Sequence, residues 1–243
     1  MTLPNNYPLQ LQNIQKSPKF NNGSPLPFPG YTVTTPTMEE DPSNAPFYQY
    51  LSGCQQQLIE QLPEGLLNPV PPGSFHLTIA DLLWDRVYLD ALATKPDFEN
   101  QLIGRIGESL DQYKSSAVEP KTIRLQMFGL SIFPRALTVC LVPNNDQGYK
   151  QIVDIRRSIY QNRGLIGLGV EQQYDFTGHL TLGYFGAISP ELDLGNLAET
   201  LTQLNDSWLE NEPPTLTINR VELRYFADMT AYNRKPDWPG IEF

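Results

Sequence analysis

The strongest periodic signals along the chain are helical. Phe47 to Leu62 carries Tyr48, Leu51, Leu58 and Leu62 at near-helical spacing, after turn chemistry at Asp41 to Asn44 and with Pro46 placed to open a helix. Asp97 to Tyr113 sets Phe98, Leu102, Ile106, Leu110 and Tyr113 on one face of a second helix. Gln147 to Arg163 and Pro190 to Trp208 show the same period. Between them lie runs with strand character: Gly30 to Thr35, Ser74 to Ala80, Thr122 to Phe133, Ala136 to Val142, Phe176 to Phe185 and Thr215 to Asp228. The joint Pro134-Arg135 is short enough to predict a hairpin. The order β-α-β-α-β-β-α-β-α-β contains that hairpin, which breaks strict βαβ winding. It predicts an α+β domain of two similar halves, and not a doubly wound parallel sheet.

Three stretches fall outside the periodic pattern. Residues 1–29 are rich in Pro, Asn, Gln and Ser, with Pro25, Pro27 and Pro29 alternating, and predict an extended arm ahead of a domain spanning 30–234. Leu67 to Gly73 predicts a Pro- and Gly-rich loop, and Lys235 to Phe243 an irregular tail. Gly164 to Gly169 is glycine-rich but follows a helix and leads to a strand, and it lacks the lysine of a phosphate loop. It predicts a turn.

Composition narrows the function. A chain of 243 residues with 40% hydrophobic content suffices for one large domain or two lobes sharing a core. Against 17 Lys+Arg stand 27 Asp+Glu, a net charge of -10. That balance argues against binding an extended duplex and for a small anionic substrate or one end of an RNA held in a local pocket. Cys54 and Cys140 predict buried free thiols in a reducing compartment. With two distant cysteines and two distant histidines, no metal-ligand spacing exists, and no metal or cofactor is expected. There is no basic start followed by an apolar run, and no apolar stretch near the roughly 18 residues that a membrane span requires. The expectation is a soluble, cytoplasmic monomer.

The two histidines carry the chemistry. They are the only ones in the chain, and both precede Leu-Thr: Phe75-His76-Leu77-Thr78-Ile79-Ala80 and Gly178-His179-Leu180-Thr181-Leu182-Gly183. By composition that coincidence has a chance on the order of one in a few hundred. In a strand, alternate side chains share a face, so His76, Thr78 and Ala80 would lie opposite Phe75, Leu77 and Ile79. The second copy would likewise set His179, Thr181 and Gly183 opposite Leu180, Leu182 and Tyr184. One face suits a core. The other presents an imidazole and a hydroxyl, with Ala80 or Gly183 leaving room for a ligand. Cleaving a phosphodiester needs a base for the attacking oxygen and an acid for the departing one, and imidazole serves as either near neutral pH. Threonine hydroxyls can hold the non-bridging oxygens.

This pair of motifs resembles the signature of the two-histidine (2H) phosphoesterase superfamily, also called LigT-like. Phe75 to Ile79 fits fully; Gly178 to Leu182 departs only at its first position, where Gly replaces an apolar residue. The resemblance covers roughly residues 30–228. It implies a bilobal α+β fold with pseudo-twofold symmetry and a central cleft lined by both motifs. Carried over, His76 and His179 would be the acid-base pair, and Thr78 and Thr181 the phosphate binders. The expected activity is a metal-independent phosphodiesterase acting on a 2′,3′-cyclic phosphate or a related nucleotide or RNA-end phosphodiester. Its pH profile would be a bell with both limbs near neutrality. An RNA ligase or RNA-end processing factor is a rival, disfavoured by the negative charge; a non-catalytic nucleotide-binding module is another, disfavoured by two intact motifs.

Weaker candidates surround the pair. Arg135, at the hairpin joint, and Arg220 and Arg224, which share a strand face with Glu222, are candidate phosphate clamps, though a solvated face or surface ion pair is the simpler reading. Tyr225 or Phe226 would stack on a base, and Phe185 shares the His179 face by alternation. Glu39, Glu40, Asp41, Asp81 and Asp85 form no ligand spacing and are expected to be solvated.

Overall fold

The computed structural model describes residues 6–116 and 121–243. The described chain opens with helix α1 (Tyr7–Leu11) and a small hairpin of β1 (Phe20–Asn21) and β2 (Ser24–Pro25). Then come β3 (Gly30–Thr34), α2 (Ala45–Gln61), β4 (Leu67–Pro69), β5 (Thr78–Trp84), α3 (Asp85–Thr94) and α4 (Phe98–Ser116). The hairpin of β6 (Ile123–Phe133) and β7 (Ala136–Pro143) leads to α5 (Asp146–Tyr160), α6 (Arg163–Leu168) and β8 (Gly178–Phe185). Last are α7 (Leu194–Glu210), β9 (Leu216–Ile218), β10 (Arg220–Phe226) and β11 (Gly240–Glu242).

Two antiparallel sheets organise the fold, one in the order β11-β10-β3-β5 and one in the order β4-β8-β7-β6-β9. The plan repeats: β3, α2 and β5 in one sheet correspond to β7, α5 and β8 in the other, each a strand, a helix and a histidine-motif strand antiparallel to the first. This is the α+β architecture of two similar halves that the pattern predicts. Local chemistry supports it. Pro46 sits in the first turn of α2, where a missing N–H costs nothing, and Phe47, Tyr48, Leu51 and Leu58 bury its inner face. Asn145 and Asp193 cap α5 and α7 through side-chain oxygens that accept backbone N–H groups, each cap worth about 1 kcal/mol. Phe75, Leu77, Ile79, Leu180 and Leu182 are buried, each contributing roughly 1.5–3 kcal/mol relative to exposure.

Several expectations are corrected. The first motif strand begins at Thr78 and runs to Trp84, so His76 precedes it, although Leu77 already pairs with Thr35 through its backbone carbonyl. The 3-10 turn Pro72–Ser74 precedes it, and pairing with β3 carries the strand past Ala80 to Trp84, with Asp81 on the cavity side. The single final strand predicted over Thr215 to Asp228 is two: β9 pairs with β6, and β10, beyond Asn219, pairs with β3 in the other sheet. Alternation along a sequence cannot register a change of sheet. Leu67–Pro69, placed in a loop, is an edge strand on β8, where proline is tolerated. The helix α3 had no counterpart among the predicted elements. Gly164 to Gly169 is not a turn but most of α6, which Gly169 closes in the left-handed conformation at φ +98°. The described N-terminal residues and the tail are also built into the fold. Tyr7, Leu11 and Phe20 are buried, the Tyr7 hydroxyl donates to the Leu130 carbonyl at 2.7 Å, and β11 extends a sheet from the tail. A proline-rich segment reads as an arm until its few large apolar residues find a partner surface.

Candidate active site

His76, Thr78, His179 and Thr181 line one cavity of about 860 Å³, within the range of small-molecule sites. The two rings are anchored alike. Nδ1 of His76 lies 2.8 Å from the Ser74 carbonyl oxygen, and Nδ1 of His179 lies 2.8 Å from that of Thr177. A carbonyl only accepts, so each Nδ1 carries the hydrogen and each Nε2 keeps its lone pair. The threonines are also placed alike. Thr78 lies opposite Thr34 in its ladder, and Thr181 lies opposite Thr138. Thr34 and Thr138 spend their hydroxyls on the carbonyls of Thr35 and Ser131. Among the described residues, the hydroxyls of Thr78 and Thr181 have no protein partner.

The walls differ. The Tyr232 ring lies against His76, with centroids 3.9 Å apart. Its carbonyl accepts from Nη1 of Arg224 at 2.6 Å, and Arg224 also pairs with Glu222 and Glu40. Arg220 and Arg234 reach the same Glu222 at 2.6 and 3.0 Å. Arg220 and Arg224 therefore serve an ion network whose centre, Glu222 and Arg224, is fully buried; they are neither phosphate clamps nor a solvated face. Phe133 meets His179 edge-on at 4.7 Å. Burial lowers the His76 imidazole to about 4, helped by the charges of Arg224, His179 and Lys19 and opposed by the Ser74 carbonyl. His179 is lowered too, by burial and by Lys19, against the Thr177 carbonyl. Both imidazoles therefore titrate on the acid side of 6.5 in the free protein, below the near-neutral range expected from the sequence.

Two charged residues of the cavity escaped the sequence reading. Lys19 enters from the N-terminal segment, its ammonium 4.7 Å from the ring centres of Phe28 and Tyr184 and 3.3 Å from the Tyr184 hydroxyl. Only its polar, proline-rich surroundings were visible in sequence. Asp81 was expected to be solvated, yet it lines the cavity, where burial raises its acid to about 6. Asp41 is buried and bound by Ser43 and Asn44, and Glu40 holds Arg224, so neither is merely solvated. Arg135 and Phe226 line the cavity, whereas Tyr225 packs against Tyr31 and Tyr88.

The space-leaving residues act differently from expectation. Ala80 is buried outside the cavity. Gly183 lies under β4, where a Cβ would fall 2.8 Å from Leu67 Cγ and 2.9 Å from the Asn68 carbonyl oxygen. Phe185 is buried, and Tyr184 lines the cavity in its place. The cause is a register shift between Leu137 and Thr138, which breaks the alternation beyond Thr181. Among the described residues, no cluster of His, Cys, Asp or Glu is placed to hold a metal ion, and no helix is long and apolar enough to cross a membrane.

No protein-family model and no curated protein matches the chain. Solved structures do. A conserved protein of unknown function from Agrobacterium tumefaciens superposes with a TM-score of 0.62 at 18% identity, over 90% of each chain. The chain shares the fold of this protein. Its structural neighbours also include E. coli LigT complexed with 3′-AMP, with a TM-score of 0.46 and 13% identity over 85% of this chain and 93% of that one. A protein described as a phosphoesterase gives 0.44 and 14%, over 85% and 94%.

Proposed function

We propose that the protein is a two-histidine phosphodiesterase that hydrolyses a 2′,3′-cyclic phosphate or a related nucleotide or RNA-end phosphodiester, without a metal ion. One observation carries the reading: two imidazoles with matched tautomers share one cavity, each beside a threonine hydroxyl that the protein leaves unengaged. His76, the imidazole pushed to about 4, is the base. Its Nε2 takes a proton from water as the water oxygen bonds to phosphorus. His179, protonated on Nε2, gives that proton to the ribose oxygen as the bond from phosphorus to it breaks. Thr78 and Thr181 donate to the non-bridging oxygens, and Lys19 neutralises their charge. The product is a phosphomonoester, and solvent returns the proton from His76 to His179.

The test is a product assay on the four 2′,3′-cyclic nucleotides and on RNA ending in a cyclic phosphate, with and without EDTA. Hydrolysis that survives the chelator is expected. No turnover of any of these, or turnover abolished by EDTA, would overturn the reading.

A further inference from the structure

The cavity holds a carboxylate that this chemistry does not use. Along β5, Thr78, Asp81 and Trp84 line the cavity, while Ile79, Ala80, Leu82 and Leu83 are buried. Register shifts against β3, at Tyr31/Thr32 and Val33/Thr34, turn the usual period of two into three. Thr78 lies opposite Thr34 and Asp81 opposite Thr32, so at a strand rise of about 3.3 Å per residue Asp81 stands roughly 7 Å along the cavity wall from Thr78. Trp84 lies beyond it, an aromatic surface on the same line. Among the described residues, no side chain donates a hydrogen bond to the Asp81 carboxylate, although the charges of Lys19 and Arg156 act on it; its backbone carbonyl accepts from the Tyr160 hydroxyl at 3.0 Å. In a cleft for an anionic ligand such a carboxylate is a liability, unless the ligand brings hydrogen-bond donors to it.

We propose that Asp81 is a specificity-determining residue that accepts hydrogen bonds from the base of the bound nucleotide, and that the preferred base is guanine. Guanine presents an imino and an amino donor side by side, a bidentate match for a carboxylate. Adenine and cytosine present one amino group beside an acceptor, and uracil one N–H between two repelling carbonyls. The raised acid of Asp81, about 6, leaves it ionised at neutral pH and ready to accept. This inference rests on the nucleotide reading of the site and names the base.

The experiment measures the affinities of 3′-GMP, 3′-AMP, 3′-CMP and 3′-UMP by calorimetry, and kcat/KM for the four 2′,3′-cyclic nucleotides, for the native protein and for Asp81→Asn. The native protein should prefer guanine over uracil by about tenfold or more, and Asp81→Asn should remove most of that preference. The ratio between substrates within one variant cancels any loss of folded protein. Equal binding of all four bases, or a guanine preference that survives Asp81→Asn, overturns the assignment. Guanine-selective binding without turnover upholds Asp81 and overturns hydrolysis, and failure of every nucleotide to bind overturns both.

Discussion

The two motif copies are alike in geometry and unlike in surroundings. In both, Nδ1 is tied to the carbonyl two residues before it, and the motif threonine faces a second threonine across the ladder. Yet His76 precedes an edge strand, β5, and is covered by Tyr232 and by the field of buried Arg224, whereas β8 lies between two strands and its histidine meets the hairpin aromatic Phe133. A repeated strand plan gives both imidazoles the same tautomer. The unrepeated parts, the C-terminal segment and the ion network, place them in different fields, with Arg224 acting on His76 and not on His179, the kind of difference the proposed base and acid would need.

The largest effect expected is from His76→Ala and His179→Ala, each lowering turnover of a cyclic nucleotide by about 10²- to 10⁴-fold. In the native protein both imidazoles are neutral at pH 7. kcat/KM should therefore rise as pH falls toward the range where one ring protonates, below 6.5, and decline as the second, near 4, does so too. His76→Ala should abolish the acid limb and His179→Ala the alkaline one. Loss of the same limb in both variants would break the assigned asymmetry. Next come Thr78→Val and Thr181→Val, which keep shape and remove one donor to the phosphate. Each should cost about 10- to 100-fold in kcat/KM, by similar factors if the two halves hold the anion equally.

Arg224→Met sharpens the comparison from outside the cavity. Breaking a buried ion pair should cost about 3–5 kcal/mol, a fall in Tm on the order of 10 °C. Removing that positive charge should raise the His76 pKa and leave His179 unmoved. Equal shifts of both rings would show that the network does not distinguish the halves.

The motifs were legible in sequence because each is a short alternation of apolar and polar positions; that His76, Thr78, His179 and Thr181 share one cavity is a property of the fold. Residues past the motifs were not. Register shifts replaced Ala80 with Asp81 and Phe185 with Tyr184 on the cavity side, and a bulge depends on the neighbouring strand as well as on its own sequence. Lys19 was hidden for a different reason. Its segment lacks helical or strand period and is held by long-range contacts, such as the one from Tyr7 to Leu130. The same holds for Arg224, whose face was identified but whose burial under Glu40 and the Tyr232 carbonyl was not.

If the proposed site is right, both imidazoles serve one anion. With only two histidines, a side-chain ¹⁵N NMR titration observes the pair without ambiguity. Both rings should show hydrogen on Nδ1 and pKa values below 6.5, with that of His76 the lower. Added inorganic phosphate should raise both values along a single saturation curve, because a nearby negative charge favours each imidazolium. Rings that respond with separate affinities, or a response confined to one of them, would contradict the account.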